Sequence, residues 1–469
     1  APFESNPERL AVSELIDSKD KQHKVFCDPV HDLISFRLPE EELLIRIIDS
    51  PSFQRLRRIS QLGVTSLVFH GAEHSRFVHS LGVAHVARRI LSSLEEIHRS
   101  ETKVIEELQE HRFYIVLAAL LHDIGHGPFS HLFEEIKHPK SSKTLHHEDW
   151  TKEILRNPSS EIHSLLLEHS PDTPERVASI IERSYPSRLA IDLISSQLDA
   201  DRIDYLLRDS SMTGIGHGHF DVEWLLKSLR IEHSEDSLRL CVDGKRGIRA
   251  IEGYAHARHL MFVQVYFHKT GRAFEAQLIN ILALARYLLS IGEDDFAKTC
   301  SLPLLKALKS SETELEDYLS IDDIIVKANL ANWSEESSRS SSGASELSRM
   351  CQAFYRERKP YGSIELNSPE QEDSALDLIE HLREELEKGR SLLRYGLHLD
   401  SCESHIYKAP RSDESIWVEE EGRILPIEKH PRATVIRALS EVSWSGKRLY
   451  FDRYHERSFL ELFRKYSLL

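Results

Sequence analysis

The sequence predicts a mainly α-helical protein, with an all-helical core and a smaller mixed α/β C-terminal lobe. Three observations carry this. Apolar residues recur at steps of three and four through much of residues 40–290. Tyr114 to Leu121 is apolar throughout, which marks a helix buried on most sides. Beyond residue 360, short strand-like stretches mix with helical spacing. The division expected is a polar arm at 1–23, a core over 24–300, and a lobe over 301–469 with a Ser-rich loop at 334–348. A chain of 469 residues is long enough for this division.

In order, Lys24 opens a short extended piece with a turn at Pro29. Helices follow over 40–49 and 51–62, with Pro51 at a favourable first-turn position. Val83, Val86, Ile90, Leu94 and Ile97 define a helix over 79–98, and 101–122 form the central helix. Prolines 158, 171, 174 and 186 break the helical stretches of 157–186. Ile191, Ile194, Leu198, Asp201 and Tyr205 fall on one helical face across 190–209, which places an acid on an apolar stripe. Asp199, Asp204 and Asp209 lie off that stripe and read as solvated, capping or supporting groups. His217 and His219 read as turn residues. Residues 230–248 read as a β-hairpin turning at Asp243-Gly244. Helices resume over 250–290 and 302–309. Ser334–Ser348 reads as an exposed loop, because helical spacing returns at Leu347.

The formal net charge of −16 excludes non-specific attraction to nucleic acid or an anionic membrane. An anionic substrate therefore requires a local cluster of cations or metal. Five dispersed cysteines without a CxxC spacing indicate neither a disulfide framework nor a zinc ribbon. With no signal-peptide pattern and no membrane-length apolar run, a reducing, cytoplasmic location is expected.

The chemistry concentrates at Leu121-His-Asp-Ile-Gly-His-Gly-Pro-Phe-Ser-His131. The apolar helix ends in His122-Asp123, and Gly125, Gly127 and Pro128 stop it. Burying a polar group there costs about 2–7 kcal/mol unless it is paired or bound to metal. A hydrogen-bonded His-Asp pair is the simpler reading, and His31-Asp32, which lacks these surroundings, is read as such a structural doublet. His79, His122, Asp123 and Asp201, from three helices, form a set suited to Mn, Fe, Ni, Zn or Mg. Nearby stand His126, His131, Glu134 and His146-His147-Glu148. A Glu bonded to a His raises imidazole basicity and fixes its tautomer.

Five stretches carry a resemblance: Asp28-Pro-Val-His31, Phe53–Gly63, His74–Gly82, Leu121–His131 and Gln197–Tyr205. Together they are similar to the HD-domain metal-dependent phosphohydrolases, and within them to the SAM-and-HD-domain deoxynucleoside triphosphate triphosphohydrolase (dNTPase) branch. The match covers residues 24–290, and no SAM module is present. The resemblance implies metal ligation by His79, His122, Asp123 and Asp201. It implies a catalytic His147 paired with Glu134, where the family has the shorter Asp, with His126 beside the metal. Arg76, His131, Arg202 and Tyr205 match phosphate contacts. Gln61 and Asp209 match the grip on the sugar 3′-hydroxyl, and Leu62 the wall against a 2′-hydroxyl. His268 matches directly. An ungapped comparison puts Gln264 where a phosphate-binding Arg is expected, and Arg272 where a sugar-stacking Tyr is expected. Lys269 and Arg272 are candidates to restore the phosphate grip.

Lys24, Val25, Asp49, Gln54 and Arg57 match a guanine-nucleotide activator site between subunits. The alternative for Asp49 is a cap on the helix beginning at Pro51. The function implied is metal-dependent dNTP hydrolysis by a homo-oligomer, dimer or tetramer, without membrane or nucleic-acid partners. Rival readings are an HD phosphohydrolase of NTPs, NMPs or cyclic nucleotides, a non-catalytic nucleotide sensor, and a nuclease.

Overall fold

The structure is a computed structural model. It describes residues 23–135, 146–234, 237–309, 314–335, 341–405, 407, 415–440 and 443–469. Of the expected arm only His23 is described, and residues 336–340 of the Ser-rich loop lie outside the described residues, as does the side chain of His131.

The first element is an antiparallel hairpin of β1 (His23–Asp28) and β2 (Asp32–Arg37). Alternation sends Ile34 and Phe36 into the core, both fully buried. Helix α1 (Glu42–Asp49) buries Leu44, Ile45, Ile47 and Ile48. The expected helix at 51–62 is shorter: an α turn over Pro51–Gln54 tightens into a 3-10 turn over Arg55–Arg58. Its cap is Ser50, whose Oγ accepts from Phe53 N at 3.3 Å. Asp49 instead takes both carboxylate contacts from Lys24 Nζ, at 2.7 and 2.6 Å.

Helices α2 (Arg76–Ile97) and α3 (Thr102–Leu121) pack side by side. Ile115 to Leu121 are all buried, so the end of α3 is surrounded on every side, as its unbroken apolar run requires. Helix α4 (His147–Arg156) docks across that end.

The stripe expected across 190–209 does not exist as one helix. The chain forms α5 (Arg188–Ser195), breaks at Ser196 (φ −121, ψ −169), and restarts as α6 (Ala200–Thr213). Asp199 causes the restart, its side chain accepting from Arg202 N at 2.8 Å as an N-cap. Asp201 therefore lies in the first turn of a new helix.

The hairpin of β3 (Leu229–Ser234) and β4 (Ser237–Asp243) is present, but its turn is not at Asp243-Gly244. Ser234 pairs with Ser237, so the turn falls at 235–236, outside the described residues. Asp243 Oδ1 accepts from Lys245 N (2.8 Å) and Arg246 N (3.1 Å), leading the chain into α7 (Ile248–Met261). A π-helical turn at Phe262–Tyr266 and α8 (Lys269–Ser290) follow. Further helices surround α8 through a second core containing Phe296, Leu304, Trp333 and Leu347; among them α9 (Ser342–Cys351) overturns the exposed loop expected at 334–348, since helix already begins at Ser342 and both Ser334 and Ser348 are buried against this core.

The remaining strands are β5 (Gly362–Leu366), β6 (Leu397–His405), β7 (Trp417–Glu420), β8 (Arg423–Pro426) and β9 (Ser443–Phe451). An antiparallel sheet of order β5-β9-β6 carries α10 (Pro369–Glu387) and α11 (Glu456–Lys465) over a third core of Leu378, Leu449, Phe459 and Phe463. β7 pairs in parallel with β4 and antiparallel with β8. The C-terminal part thus returns to extend a sheet begun by the core. Among the described residues, no helix is long and apolar enough to cross a membrane.

Candidate metal and phosphate site

The ends of α2, α3 and α6 meet. His79 lies in the first turn of α2, His122 and Asp123 follow α3, and Asp201 begins α6. His79, His122 and Asp123 each offer a ligand atom to a cluster that could hold one ion. His79 Nε2 is 3.0 Å from Asp201 Oδ1 and 3.6 Å from Asp123 Oδ2. His122 Nε2 is 3.4 Å from Asp123 Oδ1 and 3.6 Å from Asp201 Oδ1.

Neighbours fix the tautomers. His122 Nδ1 lies 2.8 Å from the Ala119 carbonyl, and His79 Nδ1 lies 2.8 Å from Asp204 Oδ2. Carbonyl and carboxylate oxygens only accept, so Nδ1 donates and each Nε2 turns its lone pair into the cluster. His122 Nε2 is buried there without a hydrogen bond. Lone pairs of nitrogen and carboxylate thus face one another around a point that demands positive charge. Burial pushes the His79 imidazole down, but Asp201 and Asp204 overcome it and raise its pKa to about 10. The same opposition raises His122, through Asp123 and Asp201. A divalent cation meets that demand, and this donor set fits one.

Asp204 is the support. It is fully buried and accepts from Arg208 Nε and Nη2 (2.9 Å each), besides bonding His79 and His31 Nε2 (2.6 Å). Arg208 also reaches Asp28 Oδ2 at 2.9 Å. His31 thus pairs with Asp204 rather than with its neighbour Asp32, and through Asp204 it helps to fix His79. Asp204 and Asp209 are both buried rather than solvated.

The turn after Asp123 is clamped from a distance. Arg55 Nη1 donates to the His126 carbonyl (2.8 Å), and Tyr318 OH to the Gly125 carbonyl (2.6 Å). A Cβ on Gly125 would lie 2.2 Å from Thr151 N, so glycine is what lets α4 dock here. Phe129 and Ser130 hold φ of 52 and 60, a strain of about 1–3 kcal/mol each. Asp323 Oδ1 holds this shape by accepting from Phe129 N at 2.7 Å. Ser130 Oγ then accepts from Arg76 Nε at 3.0 Å while Arg76 Nη1 pairs with Asp123. Against the upward push of burial, Arg76 and His122 hold the Asp123 carboxyl well below its usual range.

The His-Glu pair is also assembled. His147 opens α4, and its Nδ1 and backbone N lie 2.9 and 3.1 Å from Glu134 Oε1. His146 Nδ1 lies 3.0 Å from the other oxygen, Oε2. The His147 ring stacks on His126 at 3.9 Å and 14°, and His126 Nε2 is 3.3 Å from Asp123 Oδ1. Burial, then Arg76, push the His126 imidazole well below its ordinary value, which keeps it neutral.

Beside Arg76 opens a cavity of about 390 Å³ lined by Gln61, Leu62, Tyr205, Asp209, Tyr266 and Arg272, among others. Asp209 is set by His74 Nε2 (2.8 Å) and Tyr266 OH (2.7 Å). Gln61 Oε1 is buried with no hydrogen-bond partner, an acceptor waiting for a donor. Tyr266 escaped the sequence reading. The π turn adds a residue per turn, so the phase of α7 does not extrapolate to it. Arg272 lines the cavity but is held by Glu275 and Asp400. His268 stands at the start of α8 without a side-chain capping bond and packs edge-on against Phe69, Lys269 is exposed, and Gln264 lies half-buried in the π turn. Arg202 opens on a different recess. At the positions expected to form an activator site, Lys24 and Asp49 pair, Gln54 Nε2 donates to the Ile48 carbonyl (2.7 Å) and Arg57 Nε to Gln54 Oε1 (2.7 Å). Val25 is exposed.

A helical core presenting two histidines and two aspartates for metal defines the HD class of hydrolases, and the HD domain family model matches residues 76–209. A protein of Bacillus subtilis, YwfO, is 36% identical over 368 residues, covering 78% of each chain. The deoxynucleoside triphosphate triphosphohydrolase SAMHD1 homolog of Dictyostelium discoideum is 30% identical over 345 residues, 68% of this chain and 64% of that one. This chain thus spans just under two thirds of that relative. A crystal structure of a phosphohydrolase from Bacteroides thetaiotaomicron is similar at a TM-score of 0.72 and 28% identity, covering 92% of this chain and all of that one. The chain belongs to the HD-domain dNTPase-like family.

Proposed function

We propose that this protein hydrolyses deoxynucleoside triphosphates to deoxynucleoside and inorganic tripolyphosphate. The observation that carries the reading is the continuity of three features. The four-residue ligand set, the stacked His126–His147–Glu134 group and the cavity ending at Gln61, Asp209 and Tyr266 meet at Arg76 and Asp123. When bound, a divalent ion of the Mn, Mg, Fe, Ni or Zn type supplies Lewis-acid stabilisation of charge on a phosphoryl oxygen.

The protein's residues do the rest. Arg76 is oriented by Ser130 and Asp123, so its guanidinium is preorganised for phosphate oxygens. Tyr205 adds a hydroxyl, and the resemblance adds His131. Asp209 and Gln61 provide acceptors for a 3′-hydroxyl, and Leu62 makes the wall that disfavours a 2′-hydroxyl. Glu134 fixes His147 with Nδ1 donating, which leaves Nε2 to carry the proton that moves. In the reaction, water supplies the oxygen kept by tripolyphosphate. The bond from the α-phosphorus to the 5′-oxygen breaks, that oxygen leaves with a proton from His147, and of the two protons given up by the attacking water one restores His147 and the other passes to solvent.

Two polar pairs, Lys24–Asp49 and Arg57–Gln54, lie near an outer hairpin face that exposes Val25, Cys27 and Leu33. This supports a homo-oligomer with a guanine-nucleotide activator there.

The test is ³¹P NMR of a single turnover with Mn²⁺ and dATP. Tripolyphosphate as the only inorganic product is expected. Orthophosphate or pyrophosphate would instead indicate a phosphohydrolase cutting at another bond.

A further inference from the structure

At the N-terminal end of α6 is a recess of about 240 Å³, bounded by α5, the Ser195–Leu198 break, β4 and the start of β7. It shares no lining residue with the cavity that holds Gln61 and Asp209. Four arginines line it, Arg183, Arg188, Arg202 and Arg239, against a single carboxylate, Asp192. Asp192 is already committed: Oδ1 accepts from Arg188 Nε at 2.8 Å and Oδ2 from Leu240 N at 3.2 Å. Asp199 stands behind Arg202 (3.5 Å), and Glu232 is the cross-strand neighbour of Arg239. Even with these two counted, cations exceed acids.

The recess is built rather than incidental. Its floor of Leu198, Leu240, Cys241 and Ile416 is buried. Arg239 is held over the Trp417 ring at 5.0 Å, and its Nε is buried without a hydrogen-bond partner. Gathering guanidinium groups in a chain of net charge −16, with one Nε left unsatisfied, makes sense if an anion completes the set.

We propose that this recess is a second anion site, which binds a phosphate chain separately from the metal centre. The ligand class is a polyphosphate, free or carried by a nucleotide. Guanidinium forks suit its paired oxygens, and the volume accommodates a short phosphate chain.

The test is calorimetric titration of the metal-bound protein with inorganic tripolyphosphate, and separately with dATP and Ca²⁺ in place of an activating metal. Wild type, His122→Ala, Arg183→Ala and Arg239→Gln are compared. A binding event that survives His122→Ala and weakens at least tenfold in both arginine variants is expected. Arg183 is exposed, so its variant remains a valid reporter if Arg239→Gln proves unstable. Equal affinities for the two ligands identify the phosphate chain as the recognised group. Tenfold tighter dATP binding identifies a nucleotide. Binding that disappears in His122→Ala and is unmoved by both arginine variants would overturn the proposal. The site does not depend on the hydrolytic reading: arginine-dependent binding in a protein that cleaves no dNTP would remove that reading and leave the site.

Discussion

Gly82 is the most exacting position in the support of His79. It lies in the middle of α2, where an alanine is normally favoured over glycine by about 1 kcal/mol. Here a Cβ would stand 1.9 Å from Asp204 Oδ1 and 2.4 Å from Arg208 Nη2. To restore an ordinary contact of 3.4 Å, the carboxylate oxygen must retreat by 3.4 − 1.9 = 1.5 Å. That oxygen bonds His31 at 2.6 Å and Arg208 at 2.9 Å, and a shift of this size breaks both. Buried hydrogen bonds to charged groups contribute about 1.5–3 kcal/mol each, so two lost bonds cost about 3–6 kcal/mol. Subtracting the helix preference leaves a net loss of about 2–5 kcal/mol for Gly82→Ala. The other Asp204 oxygen orients His79, so metal affinity should also fall, by about 10–100-fold. Thermal unfolding followed by circular dichroism, with metal analysis of the dialysed protein, measures both. A Gly82→Ala protein that melts at or above the wild-type temperature with full metal occupancy would refute the reasoning, because helix propensity would then have outweighed the clash.

Three further outcomes are expected. His122→Ala and Asp123→Ala each lose bound metal and turnover while keeping their helical circular dichroism, since each ligand sits at the end of a core helix; full metal occupancy in both would contradict the assignment. His147→Ala slows single-turnover chemistry by about 10²–10⁴ with metal content and dNTP affinity nearly unchanged. An equal loss of binding would make His147 a binding residue. Glu346, bonded to Arg349 (2.6 Å) and His455 (3.0 Å), has its pKa lowered to about 2, because against the upward push of burial its hydrogen bonds to these two side chains and the charge of Arg349 prevail. A depressed acid contributes its stability in full above the unfolded value of about 4.5 and loses it as pH falls towards 2. Glu346→Gln should thus remove about 3 kcal/mol at pH 7 and flatten the acid limb of a stability profile over that window; an acid limb identical to wild type would show that the pair contributes nothing.

The same C-terminal triad shows why geometry must decide between similar clusters. Glu346, Asp452 and His455 also come close enough to hold an ion. Arg349 already pairs with both acids, and His455 bonds Glu346, so the positive charge the cluster needs is supplied from within. At His79 and His122 the one arginine, Arg76, pairs with Asp123 alone, while Asp201 faces two imidazoles whose Nδ1 atoms are bonded to acceptors and whose Nε2 lone pairs are left for an ion. Residue types alone do not separate the two cases.

What was legible in the sequence follows from this. An unbroken apolar run that ends in His122-Asp123 and two glycines can only be the buried end of a helix, so that part of the site could be read directly. The support was hidden by one serine and one aspartate. Reading 190–209 as a single helix put Asp204 off the apolar stripe. The break at Ser196 and the cap by Asp199 reset the phase, so Asp201, Asp204, Tyr205 and Arg208 share a face of α6 at steps of three and four. Asp204 and Arg208 then become an i, i+4 pair that bonds at 2.9 Å in the core. Local periodicity carries no mark of that reset, because capping is a contest between one side-chain acceptor and one turn of helix. Tyr318 and Asp323 were hidden for a different reason. They grip Gly125 and Phe129 across 193 and 194 residues of sequence, and no local pattern encodes a contact of that separation. The glycine-rich turn after Asp123 can therefore be read from its own residues, while the forces that hold its strained backbone in place come from the part of the chain with the weakest sequence signal.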